Sequence, residues 1–415
     1  MNTVARFSSR TFAALRVRNF RLYFIGQLIS TSGTWMQSVA QGWLLLQITG
    51  SSVDLGIAVA LQYVPMLVLG SYGGLVADRH EKRRILYLTQ SGAGVLALVL
   101  GVLVTTDHVT VGAIYALAAL LGVVNLFDLP ARQSFVQEMV GRDLIANAVS
   151  LNSVLMNSGR LIGPSVAATV IAFVGTAACF YANAASFVAV IIALAMMKPA
   201  DFSPMQTVER EKGQLRLGLR YVLETPRLRT VILAVTVVGT FAFNFTVTLP
   251  VFAHVTFHQQ NAANYGLLLG AMGLGAVIGG LVIAHRSNPT PQLLAGLALG
   301  FGFFMTLTAF APSLRLAALA LVPTGACSIA FMSTANSTLQ LNSSQAMRGR
   351  VMSLYGVAFM GVTPIGAPLI GYIIAQSDPR IGIFVGAALT LATAAGLLLS
   401  LRSETLSRPA AEALS

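Results

Sequence analysis

Charged residues are scarce in this sequence. Lysine, arginine, aspartate and glutamate make up 10% of its 415 residues, whereas hydrophobic residues make up 55%. A soluble domain carries charge at about a quarter of its positions, so this chain has too few charged side chains to cover a surface that faces water. The same composition excludes an intrinsically disordered chain, which would be polar. The sequence therefore predicts a multi-pass membrane protein.

Acidic residues and cysteines are also few. The 14 acidic residues against 26 basic ones give a net charge of +12, but the basic residues form short clusters between apolar runs, so we expect no nucleic-acid partner. Cys179 and Cys327 lie in separate apolar segments, without a CxxC pair or a neighbouring histidine. The apolar segments also lack a catalytic His/Asp/Ser set. We therefore expect no metal site, no cofactor and no catalytic residues.

The apolar runs have the length of membrane spans. A spanning helix needs about 20 mostly apolar residues, and that window predicts an all-α protein with twelve transmembrane helices. The predicted spans cover roughly 20–47, 54–77, 85–105, 109–129, 145–173, 177–197, 228–252, 263–284, 291–311, 316–338, 351–375 and 381–401.

The distribution of basic residues predicts the orientation of these spans. With the N-terminus in the cytoplasm, 23 of the 26 lysines and arginines fall in inside segments or at the inner ends of spans, whereas only Arg315 and Arg380 fall outside. Cytoplasmic loops of membrane proteins carry such an excess. We therefore expect both termini to be cytoplasmic.

One long hydrophilic segment divides the chain into two halves of six spans. The sequence Gly-Gly-Leu-Val at 73–76 recurs at 279–282, the corresponding place in the second half, and such internal repeats are typical of secondary transporters. Within the segment, Glu209 to Glu224 predicts an amphipathic helix at the membrane surface. The predicted organisation is an N-terminal tail 1–19, a six-helix bundle 20–197, a cytoplasmic linker 198–227, a second bundle 228–401 and a C-terminal tail 402–415.

The strongest motif lies between the second and third predicted spans. It reads Gly74-x-x-x-Asp78-Arg79-x-x-Lys82-Arg83-Arg84 and resembles the signature loop of the major facilitator superfamily, with Glu81 where that family has a second glycine. The usual excess of lysine and arginine in cytoplasmic loops would explain the basic residues of this motif, but it would not explain the acidic residue Asp78. The resemblance implies that Asp78 faces the start of the eleventh span, near Arg350, and latches the outward-facing state.

The fifth predicted span contains a second family-like motif. Its residues Gly159, Gly163 and Pro164, followed by Ala167-Ala168, resemble the antiporter motif of the same superfamily, which ends in Gly-Gly. Close packing of helices through small residues is the alternative interpretation. Arg160 lies within this motif, and a charge inside a span costs several kcal/mol unless it faces a cavity or a partner.

Further motifs are similar to one branch of this superfamily, that of the enterobactin exporter and the macrolide-efflux permeases. The similarity extends from Phe20 to about Leu401 and is carried by Asp128-x-Pro130-Ala131-Arg132-Gln133, Asn147-Ala148, Leu151-Asn152-Ser153 and Met347-Arg348-Gly349-Arg350-Val351-Met352-Ser353. It implies a multi-pass protein of the bacterial cytoplasmic membrane that works as a monomer in the lipid bilayer.

The function implied by this resemblance is secondary active export. The substrate would be a mid-sized organic molecule, a siderophore or an amphiphilic drug, exchanged for protons by alternating access between two pseudo-symmetric six-helix halves. ATP drive is disfavoured because the chain lacks a GxxxxGK[ST] sequence. An uptake permease is the main alternative. A membrane enzyme and a non-transporting receptor or scaffold are disfavoured.

Polar side chains form stripes along the first and seventh predicted spans. Since lipid offers no hydrogen-bond partners, these stripes must face other helices or water. The family lines its central cavity with these two spans, so we expect the stripes to line a cavity, with polar contacts between helices as the alternative. The candidate lining residues are Gln27, Thr31, Thr34, Gln41, Asn244 and Thr248.

The residue that couples transport to protons is harder to place. No acid lies in the middle of a predicted span; Asp54 is placed to cap a helix, and Asp128 lies near the inner end of span four. We expect Asp128 and Arg160 to form a coupled pair that exchanges a proton. Burial raises the pKa of a carboxyl group, whereas a neighbouring cation lowers it. A static salt bridge at the cytoplasmic end is the alternative.

The signature loop generates the first prediction. Replacing Asp78 with asparagine removes the acid that the loop resemblance requires, so Asp78→Asn should slow or abolish transport while the protein remains in the membrane. Efflux rates at equal expression are the measurement, and a wild-type rate from this variant would contradict the assigned role.

Overall fold

The structure is a computed structural model that describes residues 12–202, 214–259, 261–284, 289–345 and 347–412. Over these ranges every regular element is helical. Eleven helical segments of the described residues are long and apolar enough to cross a membrane. The prediction of an all-helical membrane fold is confirmed.

Six helices follow one another in the first half of the chain. The first, α1, has 32 residues and ends at Gly50, whose φ of 64° is the left-handed conformation that glycine adopts readily. It corresponds to the first predicted span but, unlike the other predicted spans, is not among the eleven apolar segments; its stripe of polar residues explains this. The helices are α1 (Arg18–Thr49), α2 (Ser52–Arg79), α3 (Lys82–Thr105), α4 (Val111–Val140), α5 (Ile145–Val174) and α6 (Thr176–Met196).

In the second half, two of the predicted spans are interrupted. The seventh span breaks at residues 242–244, and the eleventh contains a π-helical turn at Val357–Gly361. Turns of this kind inside helices are frequent at functional sites. The helices are α7 (Gln214–Glu224), α8 (Pro226–Phe241), α9 (Phe245–Val251), α10 (Ala262–Ala284), α11 (Pro291–Ala309), α12 (Leu314–Asn342), α13 (Arg348–Gly356), α14 (Thr363–Gln376) and α15 (Pro379–Glu412).

The fourth span is longer than predicted. We expected it to end near residue 129, but α4 continues through Pro130 to Val140. Proline is tolerated in a membrane helix where a neighbouring helix packs against the carbonyl group that it leaves without a helical partner. That carbonyl belongs to Leu126, and it packs against Gly73 of α2, where a Cβ atom would clash with it. Asp128 therefore lies well inside the helix rather than near its end.

The chain forms two compact units. The first contains α1, the part of α2 from Leu61 onward, α3 to α6 and the start of α10 up to Gly266. The second contains Ser51–Ala60, the remainder of α10 and the other helices. A core of buried apolar side chains in the first unit includes Tyr23, Leu86, Phe135, Leu151 and Leu194, which come from five different helices.

The amphipathic helix of the predicted linker belongs to the second unit. Residues 214–224 form α7, whereas residues 209–213 of the predicted helix lie outside the described ranges. Gly218 and Val222 are buried, and Gly218 allows the side chain of Arg350 to approach closely. The Tyr221 hydroxyl accepts a hydrogen bond of 3.2 Å from the backbone of Ser344. One face of α7 is thereby fixed against the start of α13.

Glycines also allow α10 and α12 to cross at very short range in the second unit. A Cβ atom at Gly275 would clash with the carbonyl oxygen of Val322, and one at Gly325 would clash with that of Met272. Between helices in lipid, where apolar burial contributes little, such close backbone approach is a main source of packing energy.

This crossing yields a stability prediction. Gly275→Ala should destabilise the protein, because overpacking typically costs about 1–3 kcal/mol. Gly296 of α11 is the matched control, since no described atom outside its own turn of helix lies within 4 Å of the Cβ position there. Gly296→Ala should leave the melting temperature in detergent unchanged or raise it, because alanine favours the helix. Equal melting temperatures for the two variants would contradict this account of the crossing.

Candidate functional site

The signature loop joins α2 and α3 in the first unit and is anchored by its basic residues. The Arg83 guanidinium donates hydrogen bonds of 3.0 and 2.7 Å to the carbonyl oxygen of Leu194 near the end of α6. The Lys82 ammonium forms an ion pair with Glu138 at 3.1 Å. These two cations therefore stabilise the packing of the bundle, in addition to contributing to the excess of basic residues in the predicted inside segments.

The remaining loop residues differ in exposure. Gly74 is buried, Asp78 is half-buried near the end of α2, and Arg79 is exposed. The latch function assigned to Asp78 stays a prediction.

The antiporter-like motif of α5 packs against α1. A Cβ atom at Gly159 would lie 2.5 Å from the methyl group of Thr31, and one at Gly163 would lie 2.5 Å from the Cβ atom of Trp35. Pro164 follows within the same helix. The two glycines thus allow the backbones of α1 and α5 to approach closely, as small residues do in membrane helices, and an antiport-specific role for the motif stays a prediction.

This close contact places the Arg160 guanidinium over an aromatic ring. The guanidinium carbon lies 4.9 Å from the centroid of the Trp35 ring, within the range of a cation–π interaction. Among the described residues, Arg160 forms no ion pair and donates no hydrogen bond.

A second cation, Arg132, forms a buried ion pair with Asp128 one helical turn earlier on α4. Asp128 is only 2% exposed. Its Oδ1 atom accepts hydrogen bonds from the Thr89 hydroxyl at 2.8 Å and the Gln90 amide at 2.7 Å, both on α3. The Arg132 guanidinium also donates to the Gln27 Oε1 atom on α1 at 2.8 Å. We call Tyr23, Gln27, Thr89, Gln90, Asp128 and Arg132 the Asp128 cluster.

The Asp128 cluster is incompletely satisfied. Among the described residues, four of its buried polar atoms have no hydrogen-bond partner: the Tyr23 hydroxyl, the Gln27 amide nitrogen, the Gln90 amide oxygen and the Arg132 Nε atom. An unsatisfied buried polar group is costly, and several in one place are typical of a site that takes up water, a proton or a polar ligand.

The expected pairing of Asp128 with Arg160 is wrong. Among the described residues, the ion pair of Asp128 is with Arg132, and Arg160 instead lies over Trp35. The error follows from the early end predicted for the fourth span, because that end placed Arg132 in a cytoplasmic loop. Whether Asp128 or Arg160 takes part in proton coupling stays a prediction.

The predicted cavity residues of α1 differ in their surroundings. Gln27 belongs to the Asp128 cluster, and Thr31 packs against Gly159. Thr34 is exposed and Gln41 is half-buried. Two of the four therefore contact other helices of the first unit, as the alternative interpretation of the stripe requires, and the cavity role of the stripe stays a prediction.

In the second unit, Asn244 and Thr248 lie at the break between α8 and α9. Both are buried. The Asn244 amide donates to the Thr240 carbonyl at 2.7 Å, whereas the Thr248 hydroxyl has no partner within the described ranges. Aromatic rings cluster at the same break. Ring centroids lie 5.6 Å apart for Phe243 and Phe301 and 5.1 Å apart for Phe243 and Phe359. A polar hinge beside an aromatic cluster suits an amphiphilic ligand.

Sequence reasoning missed Thr89, Gln90, Tyr23 and the role of Arg132. The spacing of Asp128 and Arg132 was a usable signal, because residues four apart meet on one face of a helix. The predicted helix end at Pro130 concealed it.

The Asp128 cluster generates a stability prediction. Arg132→Gln leaves a buried carboxylate without its counter-charge, so it should cost about 3–5 kcal/mol. The double variant with Asp128→Asn should be less destabilised than the sum of the two single variants, because it leaves no unpaired charge. Melting temperatures in detergent measure this coupling.

Glu224→Gln is the matched control for this experiment. It breaks the exposed pair between Arg220 and Glu224, which are 2.7 Å apart, and exposed pairs contribute little to stability. Strictly additive effects of Asp128→Asn and Arg132→Gln would show that the buried pair contributes no coupling energy.

Comparison with known proteins identifies related transporters. The "Multidrug efflux pump Tap" of Mycolicibacterium fortuitum is 27% identical over 368 residues, which is 84% of this chain and 88% of Tap. The "Enterobactin exporter EntS" of Shigella boydii is 28% identical, covering 87% of this chain and 86% of its own. The "Staphyloferrin A transporter" of Staphylococcus aureus is 25% identical, covering 63% and 66%.

Solved structures with a similar fold are also transporters. The nucleoside transporter NupG matches with a TM-score of 0.71 at 12% identity, covering 92% of this chain and 98% of its own. A POT family transporter matches with a TM-score of 0.72 at 11% identity, covering 93% and 96%. At these identities the likeness shows the fold alone.

A family model described as "Transmembrane secretion effector" matches residues 9–413, nearly the whole chain. The match confirms the resemblance predicted from the signature loop and from the motifs that begin at Asp128. The protein is a multi-pass membrane transporter and not an enzyme. The chain belongs to the transmembrane secretion effector family of the major facilitator superfamily.

Proposed function

We propose that this protein exports a mid-sized organic molecule, a siderophore or an amphiphilic drug, in exchange for protons. One binding site would open alternately to the two sides of the membrane. Membership of a secretion family supports export, and the names of the relatives, which include a drug pump and two siderophore transporters, support the class of substrate.

The observation that carries proton exchange is the buried Asp128 cluster. Asp128 is an acid held inside the first unit by a cation, Arg132, and by two neutral donors. When a proton neutralises the carboxylate, Arg132 becomes a buried cation without a counter-charge, a state that is strongly disfavoured. Protonation therefore drives the cluster to rearrange so that Arg132 reaches water or an anion, and this rearrangement links proton uptake to a change of conformation.

The aromatic cluster of the second unit supports an amphiphilic substrate. Phe243, Phe245, Phe301 and Phe359 surround the break between α8 and α9, beside the Asn244 amide and the unpartnered Thr248 hydroxyl. Binding sites for small molecules are mostly apolar, with a few well-placed polar groups that orient the ligand. The interruption of both the seventh and eleventh spans supplies local flexibility for such a site.

The setting we propose is the bacterial cytoplasmic membrane, with both termini in the cytoplasm and a single chain as the working unit. The excess of lysine and arginine in alternate segments supports this orientation. Residues 20–197 and 228–401 would be the two homologous six-helix halves, joined by the linker 198–227.

Everted membrane vesicles test this function. Enterobactin, staphyloferrin A and ethidium serve as probes, and at least one should accumulate in vesicles whose lumen is acidic and should be released by a protonophore. Asp128→Asn should abolish the dependence on the proton gradient, because asparagine cannot release a proton. Asp107→Asn, which changes an exposed acid between α3 and α4, is the control and should behave as wild type.

Two results would contradict the proposal. Accumulation of a probe in right-side-out vesicles, but not in everted ones, would identify an uptake permease. An unchanged response to the pH gradient in Asp128→Asn would place proton coupling elsewhere or exclude proton drive.

A further inference from the structure

Arg132 and Arg160, two arginines within helices of the first unit, differ in whether an acidic side chain neutralises them. Arg132 is neutralised by Asp128. Arg160 has no acidic partner among the described residues, and its one specific contact there is with the Trp35 ring. A charge held within a membrane bundle is expensive unless a partner or a water-filled cavity compensates it. The described part of the chain supplies no acidic partner for Arg160.

The contact with Trp35 leaves the hydrogen-bonding edge of Arg160 available. Among the described residues, none of its five N–H donors makes a hydrogen bond. The planar guanidinium matches the two oxygen atoms of a carboxylate, which it binds through paired hydrogen bonds. The donors of Arg160 are therefore available for a planar oxyanion.

A second unsatisfied group lies beside this arginine. Thr31 is 6% exposed, and its hydroxyl has no hydrogen-bond partner among the described residues. It lies one helical turn before Trp35 on α1, and its methyl group meets the position of Gly159, the residue before Arg160. The contact between α1 and the part of α5 that carries Arg160 therefore contains an unsatisfied buried donor.

The glycines of α5 keep this arrangement in place. The close contacts of Gly159 with Thr31 and of Gly163 with Trp35 fix the positions of these side chains relative to Arg160. A binding site gains affinity when its groups are held in the bound geometry beforehand. The antiporter-like motif then has a local purpose, which is to position Arg160 against α1.

We propose that Arg160, Trp35 and Thr31 form a subsite that binds a carboxylate or similar planar oxyanion of the exported molecule. The proposal rests on the proposed function, and it narrows the substrate class to acidic molecules with an apolar body. The guanidinium edge binds the oxyanion, the Thr31 hydroxyl donates to one of its oxygens, and the indole holds the guanidinium.

The test uses the tryptophan of the subsite as its reporter. The chain has two tryptophans, so a Trp43→Phe background leaves Trp35 as the single fluorophore. Purified full-length protein in lipid nanodiscs is titrated with benzoate and with benzamide, its uncharged analogue of nearly equal shape. Benzoate should change the Trp35 emission with a saturating curve, and benzamide should bind at least about ten-fold more weakly, since hydrogen bonds to charged groups are the stronger ones.

Variants of the subsite separate charge from structure. Arg160→Gln should weaken benzoate binding by about ten-fold or more, whereas Arg160→Lys, which keeps the charge, should retain part of the affinity. Thr31→Val, which keeps the shape of the side chain and removes its hydroxyl, should weaken binding by several-fold. If Arg160→Gln is not monodisperse in detergent, the Thr31→Val variant still tests the subsite.

Equal binding of benzoate and benzamide would overturn the proposal, as would undiminished benzoate binding in Arg160→Gln. This assay measures binding and not transport. A carrier that binds benzoate here but fails in everted vesicles would contradict the proposed export alone, whereas proton-driven export without selective benzoate binding would contradict the subsite alone.

Discussion

The first unit depends on the ion pair that α4 carries into its interior, between Asp128 and Arg132. Three helices meet at the Asp128 cluster: α1 supplies Gln27, α3 supplies Thr89 and Gln90, and α4 supplies the ion pair. Because unpaired buried charges are so costly, this pairing fixes the positions of three helices relative to one another. Under the proposed proton exchange, a neutral Asp128 would no longer compensate Arg132.

Close packing through glycine is the second constraint, and it decides where the polar groups can meet. Gly73 receives the carbonyl that Pro130 leaves without a helical hydrogen bond, which permits α4 to continue and brings Arg132 within reach of Asp128. Gly159 and Gly163 bring α5 against α1 and place Arg160 over Trp35. In both places a side chain in place of glycine would separate the helices, so the electrostatic arrangement rests on the absence of a Cβ atom.

The sequence was sufficient for the spans and the family, because apolar length and local motifs are properties of short segments. It was insufficient where tertiary packing overrules a local signal. Pro130 predicted a helix end, since proline lacks an N–H group. In the structure the helix continues, and the carbonyl group that Pro130 leaves without a donor packs closely against Gly73. The interruption before Phe245 left no clear signal, because residues 228–252 read as one apolar run. The partner of Arg160 could not be predicted either, since Trp35 is far away in sequence and lies on another helix.

The contrast between the two arginines suggests how one unit could serve two purposes. Arg132 is compensated by Asp128, and under the proposed proton exchange its environment would change when Asp128 gains a proton. Arg160 is not compensated by an acid of the described chain, and at the proposed subsite its environment would change when a ligand brings an oxyanion. Both arginines adjoin α1, through Gln27 for Arg132 and through Trp35 for Arg160. A shift of α1 that releases Arg132 from its cluster therefore also moves Trp35 beneath Arg160. Proton binding and substrate binding would then act on the same helix, which is the physical requirement for coupling them.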